Sequence, residues 1–549
     1  MDFEKLAELL YPNIDKTPEY YENLFPKRDL PEGAQVLRMA PSPTGFIHLG
    51  NLYGALADER AAHRSNGVFF LRIEDTDEKR KVDGAVETLL EVFKYFEINF
   101  DEGAEIDGPN KYGPYYQRQR AEIYQCFAKD LVARGLAYPC FCSEEDLNKI
   151  RDEQSAQKLT TGYYGKWAKC RTLTLEEVKK HLDNNDPFTI RLKSNGNPEI
   201  KHDFHDEIKG DITVIENDQD VVLLKQDGIP TYHFAHAIDD HLMRTTVVLR
   251  GEEWLGTLPV HIELFKDLGF KLPKFAHTCQ LMKIDETGTK RKLSKRKDPE
   301  LSLDFYRHLG YHPYAVKIYL MTLLNWNFEQ WYLGHPDSPI EEFDFKLKNM
   351  GQSGALFDLA KLDNISKTYL SKFTLDQMKS WLKDYTKEFK ADMYDVYFKD
   401  EDYIDQILSL GMGLELKKRR KDYIACEQIL NTMSYYFDET FKPEYAFRFD
   451  SKDCLNIIEE FKQVYDINDD NNTWFEKVKV IASKNGFAAE MSDYKANPEA
   501  YKGNVSDVAE IIRVAVTGLA NTPDLCAIMK IMGLDKSMQR IDQAIKYLN

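Results

Sequence analysis

The chain has 549 residues, 43% of them hydrophobic, and a formal net charge of −18. At about 150 residues per domain, this length predicts three to four folded units. The acidic balance argues against a protein that coats nucleic acid without specificity, but it does not exclude binding through a local basic surface. No apolar run approaches the roughly 18 residues of a membrane span. The N-terminus lacks the order of a secretory signal, so we expect a soluble, cytoplasmic protein without a membrane partner.

The first elements after an extension at 1–34 form a recognisable unit. Residues 35–40 predict a short strand, and the prolines and glycine that follow predict a turn. A helix comes next, with apolar residues at the spacing of one buried face and a glycine-containing end signal at 65–67. Residues 68–73 predict a buried parallel strand. Together these elements predict a βαβ unit, half of a doubly wound nucleotide-binding sheet.

The pattern changes farther along the chain. Charged helical stretches dominate 117–229, with strand-like pieces such as 188–193, and the buried-strand pattern returns at 247–250. This indicates an insertion that splits one sheet domain. Beyond about residue 300 the chain reads as mostly helical, with clear helices at 314–324 and 508–520.

Two short stretches carry the first chemical signal. A turn leads into a helix that begins near His48, and 292–296 form a basic loop with Lys292 and Lys295. A helix N-terminus presents free N–H groups to a phosphate, His48 can donate a hydrogen bond to one, and Gly50 leaves room for an adenine or ribose. In this order the two stretches predict an enzyme that cleaves ATP between its α- and β-phosphates.

The motifs resemble those of one enzyme class. Residues 38–45 and 48–50 resemble the first signature of class I aminoacyl-tRNA synthetases, and within that class the glutamyl-tRNA synthetases. Residues 292–296 are similar to the second signature of the class, and 72–77 and 250–254 to further family blocks. The resemblance implies ATP-dependent attachment of L-glutamate to tRNA(Glu) through a glutamyl-adenylate, with Mg²⁺ shielding the phosphates.

The same resemblance implies the fold and its domains. We expect an α/β Rossmann-type parallel sheet domain, split by an α/β acceptor-binding insertion and followed by a mostly α-helical anticodon-binding region. The expected boundaries are an N-terminal extension at 1–34, the two halves of the catalytic domain at 35–116 and 230–296, the insertion at 117–229, a stem-contact domain at 297–372 and the helical region at 373–549. The extension has no counterpart in the family pattern.

Forming an acyl-adenylate needs no nucleophilic side chain, because the substrate carboxylate attacks the α-phosphorus. Catalysis is then positioning plus electrostatic stabilisation. The resemblance assigns the catalytic role to His48, Gly50, Lys292 and Lys295, and ATP binding to His48, Gly50, Glu253 and Lys295.

The amino-acid pocket must hold one ammonium and two carboxylates. The resemblance assigns it to Arg38, Ala40, Ser42, Glu74, Tyr232, His236 and Arg250. We expect Arg38 to bind the side-chain carboxylate through two points, and Arg250 to bind the α-carboxylate. For Arg72 and Asp75 we expect surface salt bridges only.

The sequence departs from the family pattern at two positions of the site. Asn51 stands where the first signature often has a second histidine, and we assign it no essential role. His236 stands where many relatives have asparagine, and it would add a titratable group to the pocket. The role of His236 stays open.

Substrate choice is predicted from the same turn. Glutaminyl relatives carry glutamate and asparagine where this chain has Ser42 and Thr44, which favours glutamate over glutamine. We also expect glutamine to leave Arg38 as an unpaired buried cation, a mismatch that can discriminate by up to roughly 10⁴–10⁵. Whether tRNA(Gln) is also charged stays open.

The eight cysteines have no disulfide-scaffold spacing, so we expect reduced thiols. Cys140, Cys142 and Cys170 resemble a zinc-binding element that some family members carry in the insertion. A closed site needs a fourth ligand, for which Tyr164 and His181 are the candidates. Zinc and free cysteines both stay open.

The expected partners are tRNA(Glu), glutamate and ATP, and relatives suggest a monomer. The basic run at 417–421 is a candidate phosphate contact. Three other interpretations are weighed: a truncated paralogue that modifies a tRNA base, a small-molecule nucleotidyltransferase and an inactive binding protein. The length of the chain beyond residue 372 argues against the truncated paralogue. The 72–77 block argues against the nucleotidyltransferase, and the intact signatures argue against the inactive protein.

Overall fold

A computed structural model describes residues 2–43, 45–80, 82–412 and 420–549. The chain divides into two compact units: Met1–Leu303 with Lys317–Asp358, and Asp304–Val316 with Leu359–Asn549. Thr44 and the first three residues of the basic run lie outside the described ranges. Within those ranges, no helix combines the length and the apolar character required to cross a bilayer.

The first catalytic segment and the extension contain the following helices and strands: α1 (Phe3–Leu10), α2 (Pro18–Leu24), β1 (Val36–Met39), α3 (Leu49–Arg64), β2 (Val68–Leu71), α4 (Ala85–Tyr95) and β3 (Glu102–Gly103). The next stretch contains α5 (Ala121–Ala133), β4 (Ala137–Cys140), α6 (Glu144–Ala156), α7 (Leu175–Asp183), β5 (Thr189–Leu192), β6 (Lys201–Asp206), β7 (Gly210–Ile215) and β8 (Val222–Leu224).

The return to the sheet and the segment after it contain α8 (Tyr232–Leu242), β9 (Val247–Gly251), α9 (Leu258–Asp267), β10 (Lys274–Thr278), β11 (Leu281–Ile284), β12 (Lys290–Lys292), α10 (Leu303–Leu309), α11 (Pro313–Leu324), α12 (Phe328–Gly334) and β13 (Ala355–Leu356). The remaining part is helical: α13 (Leu359–Leu370), α14 (Leu375–Phe389), α15 (Tyr394–Phe398), α16 (Glu401–Met412), α17 (Cys426–Met433), α18 (Ser451–Val464), α19 (Asn471–Lys484), α20 (Met491–Ala496), α21 (Val505–Thr517), α22 (Leu525–Met532) and α23 (Leu534–Leu548).

The central sheet is parallel and doubly wound. β2 pairs with β1 on one side and β3 on the other, and β10 pairs with β9 and β6, all in parallel. The backbone N–H of Thr246 donates to the carbonyl of Val36 at 3.0 Å, which places β9 beside β1. The strand order β3-β2-β1-β9-β10 reverses between β1 and β9, as in nucleotide-binding sheets. The predicted Rossmann-type sheet and the helical C-terminal region are confirmed.

Residues at the end of α3 explain where the helix of the βαβ unit stops and where β2 begins. α3 ends at the predicted signal, where Asn66 takes a positive φ of 53°. At Gly67 a Cβ atom would lie 1.8 Å from the carbonyl oxygen of Gln35, so only glycine allows β2 to start beside β1. Both strands begin within one residue of their predicted starts.

The inserted stretch builds a small antiparallel sheet. β5 pairs with β4 and with β8, and β6 and β7 form an antiparallel hairpin. β6 also pairs with β10, through Asp206 and Phe275, so the hairpin adds two strands to the central sheet and β7 lies at the edge. The domain boundaries given above stay a prediction.

The extension contacts both α5 and the segment after α8. Lys129 of α5 donates to the carbonyl of Ile14 at 2.8 Å, and Arg244 donates to the carbonyl of Phe25 at 3.0 Å. Phe25 itself is 2% exposed and lies between the ring of Tyr112 and the guanidinium of Arg120. The extension therefore links the insertion to the central sheet.

The second unit packs its helices around an apolar core. Ile457 of α18, Val508 of α21 and Ile541 of α23 are buried at its centre. Arg420, the first described residue after the gap in the basic run, pairs with Asp422 at 2.5 Å.

Phe25→Ala removes a buried ring and leaves a cavity under the extension. We expect it to lower the free energy of unfolding by about 3–5 kcal/mol, measured by urea unfolding followed by circular dichroism. Leu24→Ala is the matched control, because Leu24 is 50% exposed and should cost less than about 1 kcal/mol. Equal losses in the two variants would show that the extension does not depend on this packing.

Candidate active site

A cavity of about 450 Å³ lies at the carboxyl ends of β1 and β9, where the strand order reverses. Residues assigned from the sequence that line it are Arg38, Ala40, Ser42, His48, Gly50, Glu74, Tyr232, Arg250, Glu253 and Lys292. His236 and Lys295 do not lie on its wall. The fold therefore brings the two signatures and the strand-end charges together around one space.

His48 is positioned by the start of α3. Its backbone N–H donates to Asn51 Oδ1 at 3.0 Å, so the Asn51 side chain caps the helix from within its first turn. Burial lowers the pKa of His48, and the charge of Lys292 lowers it further. His48 is therefore a neutral hydrogen-bonding group near pH 7, and Asn51 has a structural role that the sequence did not predict.

Gly50 makes room for the His48 ring as well as lining the cavity. A Cβ atom at position 50 would lie 3.0 Å from the His48 ring. Any side chain there would move the histidine, which explains why these two residue types occur together.

The basic loop is fastened by Asp298, which is 2% exposed. Arg291 binds both oxygens of Asp298, at 2.7 and 2.8 Å, and the backbone N–H of Ser294 donates to the same carboxylate at 2.8 Å. Lys292 then faces the cavity. The Nζ of Lys295 lies 3.9 Å from the centroid of the Phe46 ring, outside the wall.

Arg38 on β1 is 4% exposed and already has a protein partner. Its Nε donates to Asp240 Oδ1 at 3.1 Å, and its Nη1 donates to the carbonyl of Leu249 at 3.2 Å. The expectation that glutamine leaves this cation unpaired is therefore wrong. Asp240 compensates the charge of Arg38 whichever ligand enters.

Arg72 is not part of a surface salt bridge, as we expected, but lies fully buried behind the cavity. Its Nη1 donates to Asp240 Oδ1 at 2.7 Å and its Nη2 to Glu74 Oε1 at 3.1 Å. Asp75 also differs from expectation, since its Oδ1 accepts the backbone N–H of Arg118 at 2.9 Å. The Arg72 pairing holds Glu74 at the cavity wall.

Asp239, next to Asp240 on α8, continues the network away from the cavity. It accepts hydrogen bonds from Arg120 Nε at 2.7 Å, the Tyr124 hydroxyl at 2.8 Å and Gln117 Nε2 at 2.9 Å. Asp239 and Asp240 are both fully buried. The two carboxylates thus join the sheet, the cavity wall and α5.

Arg250, near the end of β9, is held by two histidines. Its Nε donates to His277 Nε2 at 3.0 Å, and its Nη1 lies 3.0 Å from His261 Nδ1. His277 in turn bonds Asp206 at 2.6 Å, so its proton belongs on Nδ1 and its Nε2 accepts. The buried Nη2 of Arg250 has no hydrogen-bond partner within the described residues. The Arg250 side chain lines the cavity together with Tyr232.

His236 supports the wall from behind. It is fully buried, and its ring stacks on Tyr232 with centroids 5.6 Å apart and 6° between the planes. Its Nδ1 lies 2.5 Å from Asp240 Oδ2. Burial lowers the pKa of His236 to about 4, although Asp240 opposes the shift. His236 was expected to add a titratable group to the pocket. It lies behind the cavity wall instead, and it is neutral near pH 7.

The three grouped cysteines do meet. The sulfur atoms of Cys140, Cys142 and Cys170 all lie within 4.8 Å of one another, and none is in a disulfide. The nearby side chain is Tyr163, whose hydroxyl lies 3.2 Å from Cys142 Sγ. Tyr164, one of the two expected fourth ligands, donates its hydroxyl to the carbonyl of Thr160 at 2.7 Å instead.

The other expected fourth ligand, His181, is also engaged elsewhere. Its Nδ1 lies 2.7 Å from Asp186, and its ring stacks on Phe141 with centroids 4.3 Å apart. The hydroxyl next to the cysteines is therefore that of Tyr163, and not a group from either expected ligand. The C-x-C spacing could not reveal this, because adjacent tyrosines differ only in the direction of their side chains.

Comparison with known proteins identifies the family. Residues 35–384 match the model of the catalytic domain of tRNA synthetases class I (E and Q), and residues 396–545 match an anticodon binding domain. The chain belongs to the class I tRNA synthetases (E and Q). The family resemblance drawn from the motifs is confirmed.

Two curated relatives of this synthetase are named glutamate–tRNA ligase. The protein of Acetivibrio thermocellus is 55% identical over 99% of this chain and 100% of its own length. The protein of Clostridium perfringens is 46% identical over 98% of this chain and 100% of its own length. A glutamate–tRNA ligase of Elizabethkingia meningosepticum, solved in complex with its amino acid, matches with a TM-score of 0.71 and 27% identity over 94% of this chain and 100% of its own.

Sequence reasoning missed three carboxyls of the synthetase site: Asp58, Asp239 and Asp240. Asp58 lines the cavity, and it lies on the helix face that also carries Asn51 and Gly54. That spacing from the first signature was a usable signal. Asp239 and Asp240 had no such signal, because the residues next to them in the sequence do not show which arginines they pair with.

Asp298→Asn removes the charge that fastens the basic loop. Charge-assisted hydrogen bonds are worth about 1.5–3 kcal/mol, so we expect the loop to open at least about tenfold more often. Limited trypsin digestion measures this opening as faster cleavage within 290–297. Glu286→Gln, at an exposed position of the same hairpin, is the control. Unchanged cleavage of the Asp298 variant would contradict the fastening role.

Proposed function

We propose that this synthetase joins L-glutamate to tRNA(Glu) with ATP, and releases AMP and pyrophosphate. The observation that carries the proposal is the cavity, whose wall brings together Arg38, Arg250 and Glu74 with His48 and Lys292. The near-complete matches to relatives named glutamate–tRNA ligase support the same reaction.

In the amino-acid site, each charged group of glutamate meets a side chain of opposite sign. Arg250, which lines the cavity, would bind the α-carboxylate. Glu74, held in place by Arg72, would accept the ammonium group together with Ser42. Arg38 would bind the side-chain carboxylate, and Tyr232 would close the site beside it.

In the activation step, the α-carboxylate of glutamate attacks the α-phosphorus of ATP. The bond from that phosphorus to the bridging oxygen breaks, and pyrophosphate leaves. His48 donates a hydrogen bond to a phosphate oxygen, while Lys292 and Lys295 of the basic loop offset the developing negative charge. Mg²⁺, when bound with ATP, neutralises part of the phosphate charge.

In the transfer step, the terminal 2′-hydroxyl of tRNA attacks the glutamyl carbonyl carbon, and AMP leaves. We assign the acceptor end to the insertion at 117–229, the stem to 297–372 and the anticodon to the helical region at 373–549. The match of 396–545 to an anticodon binding domain supports the last assignment. We expect a monomer that works in the cytoplasm, where its tRNA partners are.

Labelled glutamate incubated with ATP and purified tRNA(Glu) tests the reaction. We expect acid-precipitable, base-labile label on the tRNA, and its absence would defeat the proposal. A parallel reaction with tRNA(Gln) shows whether that tRNA is also charged.

Arg38→Lys tests the amino-acid site within the same assay. A lysine keeps the charge but cannot serve Asp240, the Leu249 carbonyl and a substrate carboxylate together. We expect the KM for glutamate to rise about 10- to 100-fold, while the KM for ATP changes less than about threefold. Arg64→Lys, at the exposed end of α3, is the control. Equal increases in both KM values would contradict the assignment of Arg38.

We also propose that Cys140, Cys142, Cys170 and Tyr163 hold a structural zinc ion. The sulfur atoms of Cys142 and Cys170 are 3.6 Å apart, close to the roughly 3.8 Å expected between two thiolates around a tetrahedral zinc with Zn–S bonds of about 2.3 Å. Hydrogen bonds from the other two thiols lower the pKa of Cys140, which favours the thiolate form that binds metal.

Elemental analysis of the purified protein tests the zinc site. We expect about one zinc per chain, loss of the metal in Cys170→Ser, and weaker retention against a chelator in Tyr163→Phe. Tyr164→Phe is the matched control and should retain zinc as the unmodified protein does. A metal content near zero in the unmodified protein would end the proposal.

A further inference from the structure

One carboxyl group on the cavity wall has no part in the reaction described above. Asp58 lies on α3, seven residues after Asn51 and four after Gly54, and all three line the cavity. This spacing puts them on one face of the helix. The side chain of Asp58 therefore reaches the same space as Arg38 and Arg250.

The surroundings of Asp58 are unusual for a carboxylate. The residue is 2% exposed, and its Oδ1 is buried without a hydrogen-bond partner within the described residues. The charged groups that act on it are Arg38 of β1 and Asp240 of α8. Arg38 is already bonded to Asp240, so Asp58 has no cation of its own.

Asp58 and Asp240 respond in opposite ways to the same arginine. Two guanidinium groups hold the pKa of Asp240 well below its usual range. Burial raises the pKa of Asp58 well above its usual range, and the neighbouring charge of Asp240 acts in the same direction. One carboxyl is therefore the ionised partner of Arg38, and the other is a neutral acid beside it.

We propose that Asp58 is a further substrate-binding residue, whose carboxyl group donates a hydrogen bond to the side-chain carboxylate of glutamate bound at Arg38. The inference rests on the proposed function, because it names a further contact of the same amino-acid site.

The charge balance at Arg38 explains why the neutral form is needed. Asp240 already compensates the guanidinium. A second ionised carboxylate at position 58 would repel the side-chain carboxylate of glutamate and would instead accept the amide of glutamine. A neutral acid removes this repulsion and offers a donor to the side-chain carboxylate of glutamate, which has only acceptors. Asp58 thus adds a donor for glutamate beside Arg38, whose charge Asp240 already compensates.

Three substitutions of Asp58 distinguish the effect of a hydrogen-bond donor at this position from the effect of a negative charge. Asp58→Asn keeps a donor of the same shape, Asp58→Ser keeps a smaller donor, and Asp58→Ala has none. In the charging assay we expect the KM for glutamate to stay within about threefold in Asp58→Asn and to rise about 10- to 100-fold in Asp58→Ala, with the KM for ATP unchanged. Asp29→Asn, at an exposed position, is the control.

Equal KM values for glutamate in the asparagine and alanine variants would overturn the inference. If Asp58→Asn does not fold by circular dichroism, Asp58→Ser takes its place and must stay closer to the unmodified protein than Asp58→Ala. Loss of all charging in the unmodified protein would instead overturn the proposed function, so the two failures are distinct.

A pH series tests the protonation state. The ratio of the glutamate KM of the unmodified protein to that of Asp58→Asn should stay constant or rise from pH 6 to 9. A constant ratio near one is the result expected of an Asp58 that remains neutral, and a rising ratio means that its ionisation weakens glutamate binding. A ratio that falls with pH would show that the ionised form binds glutamate better, and it would overturn the inference.

Discussion

The adjacent carboxylates Asp239 and Asp240 on α8 are the interaction on which the site depends. They are fully buried, and they pair with arginines from three separate segments: Arg38, Arg72 and Arg120. A buried guanidinium without a partner carries a desolvation penalty of several kcal/mol, so none of these cations is tolerated without the pair. Each arginine then fixes its own segment, and the cavity takes shape where the segments meet.

This pairing also sets the electrostatics of the amino-acid site. Arg38 enters the cavity with its orientation already determined by Asp240 and the Leu249 carbonyl. Arg250 is oriented in the same manner by His261 and His277. Donors held in place before the substrate arrives need no reorganisation during the reaction, which is the main source of electrostatic stabilisation in enzymes. The neutral Asp58 adds a donor whose protonation follows from burial rather than from a partner.

The signatures and the first βαβ unit were predictable because their causes are local. The turn, the N-terminus of α3 and the bounds of β1 and β2 follow from residues within a few positions of one another. Three features were not predictable: the placement of Arg72, the neutrality of His236 and the position of Tyr163 beside Cys142. Arg72 pairs with a carboxylate 168 positions away. His236 is neutral because it is buried, and the residues next to it in the sequence do not indicate that burial.

The sequence by itself determined the family, the sheet class and most of the residues around the cavity, because signature residues act through backbone geometry that short motifs encode. Only the tertiary structure decided which charges are paired, which are neutral and which reach the cavity. Burial and long-range pairing set the free energy of an ionisable group, and neither can be read from its neighbours in the chain. Arg38 shows the difference: the motif located it, and the fold supplied its partner.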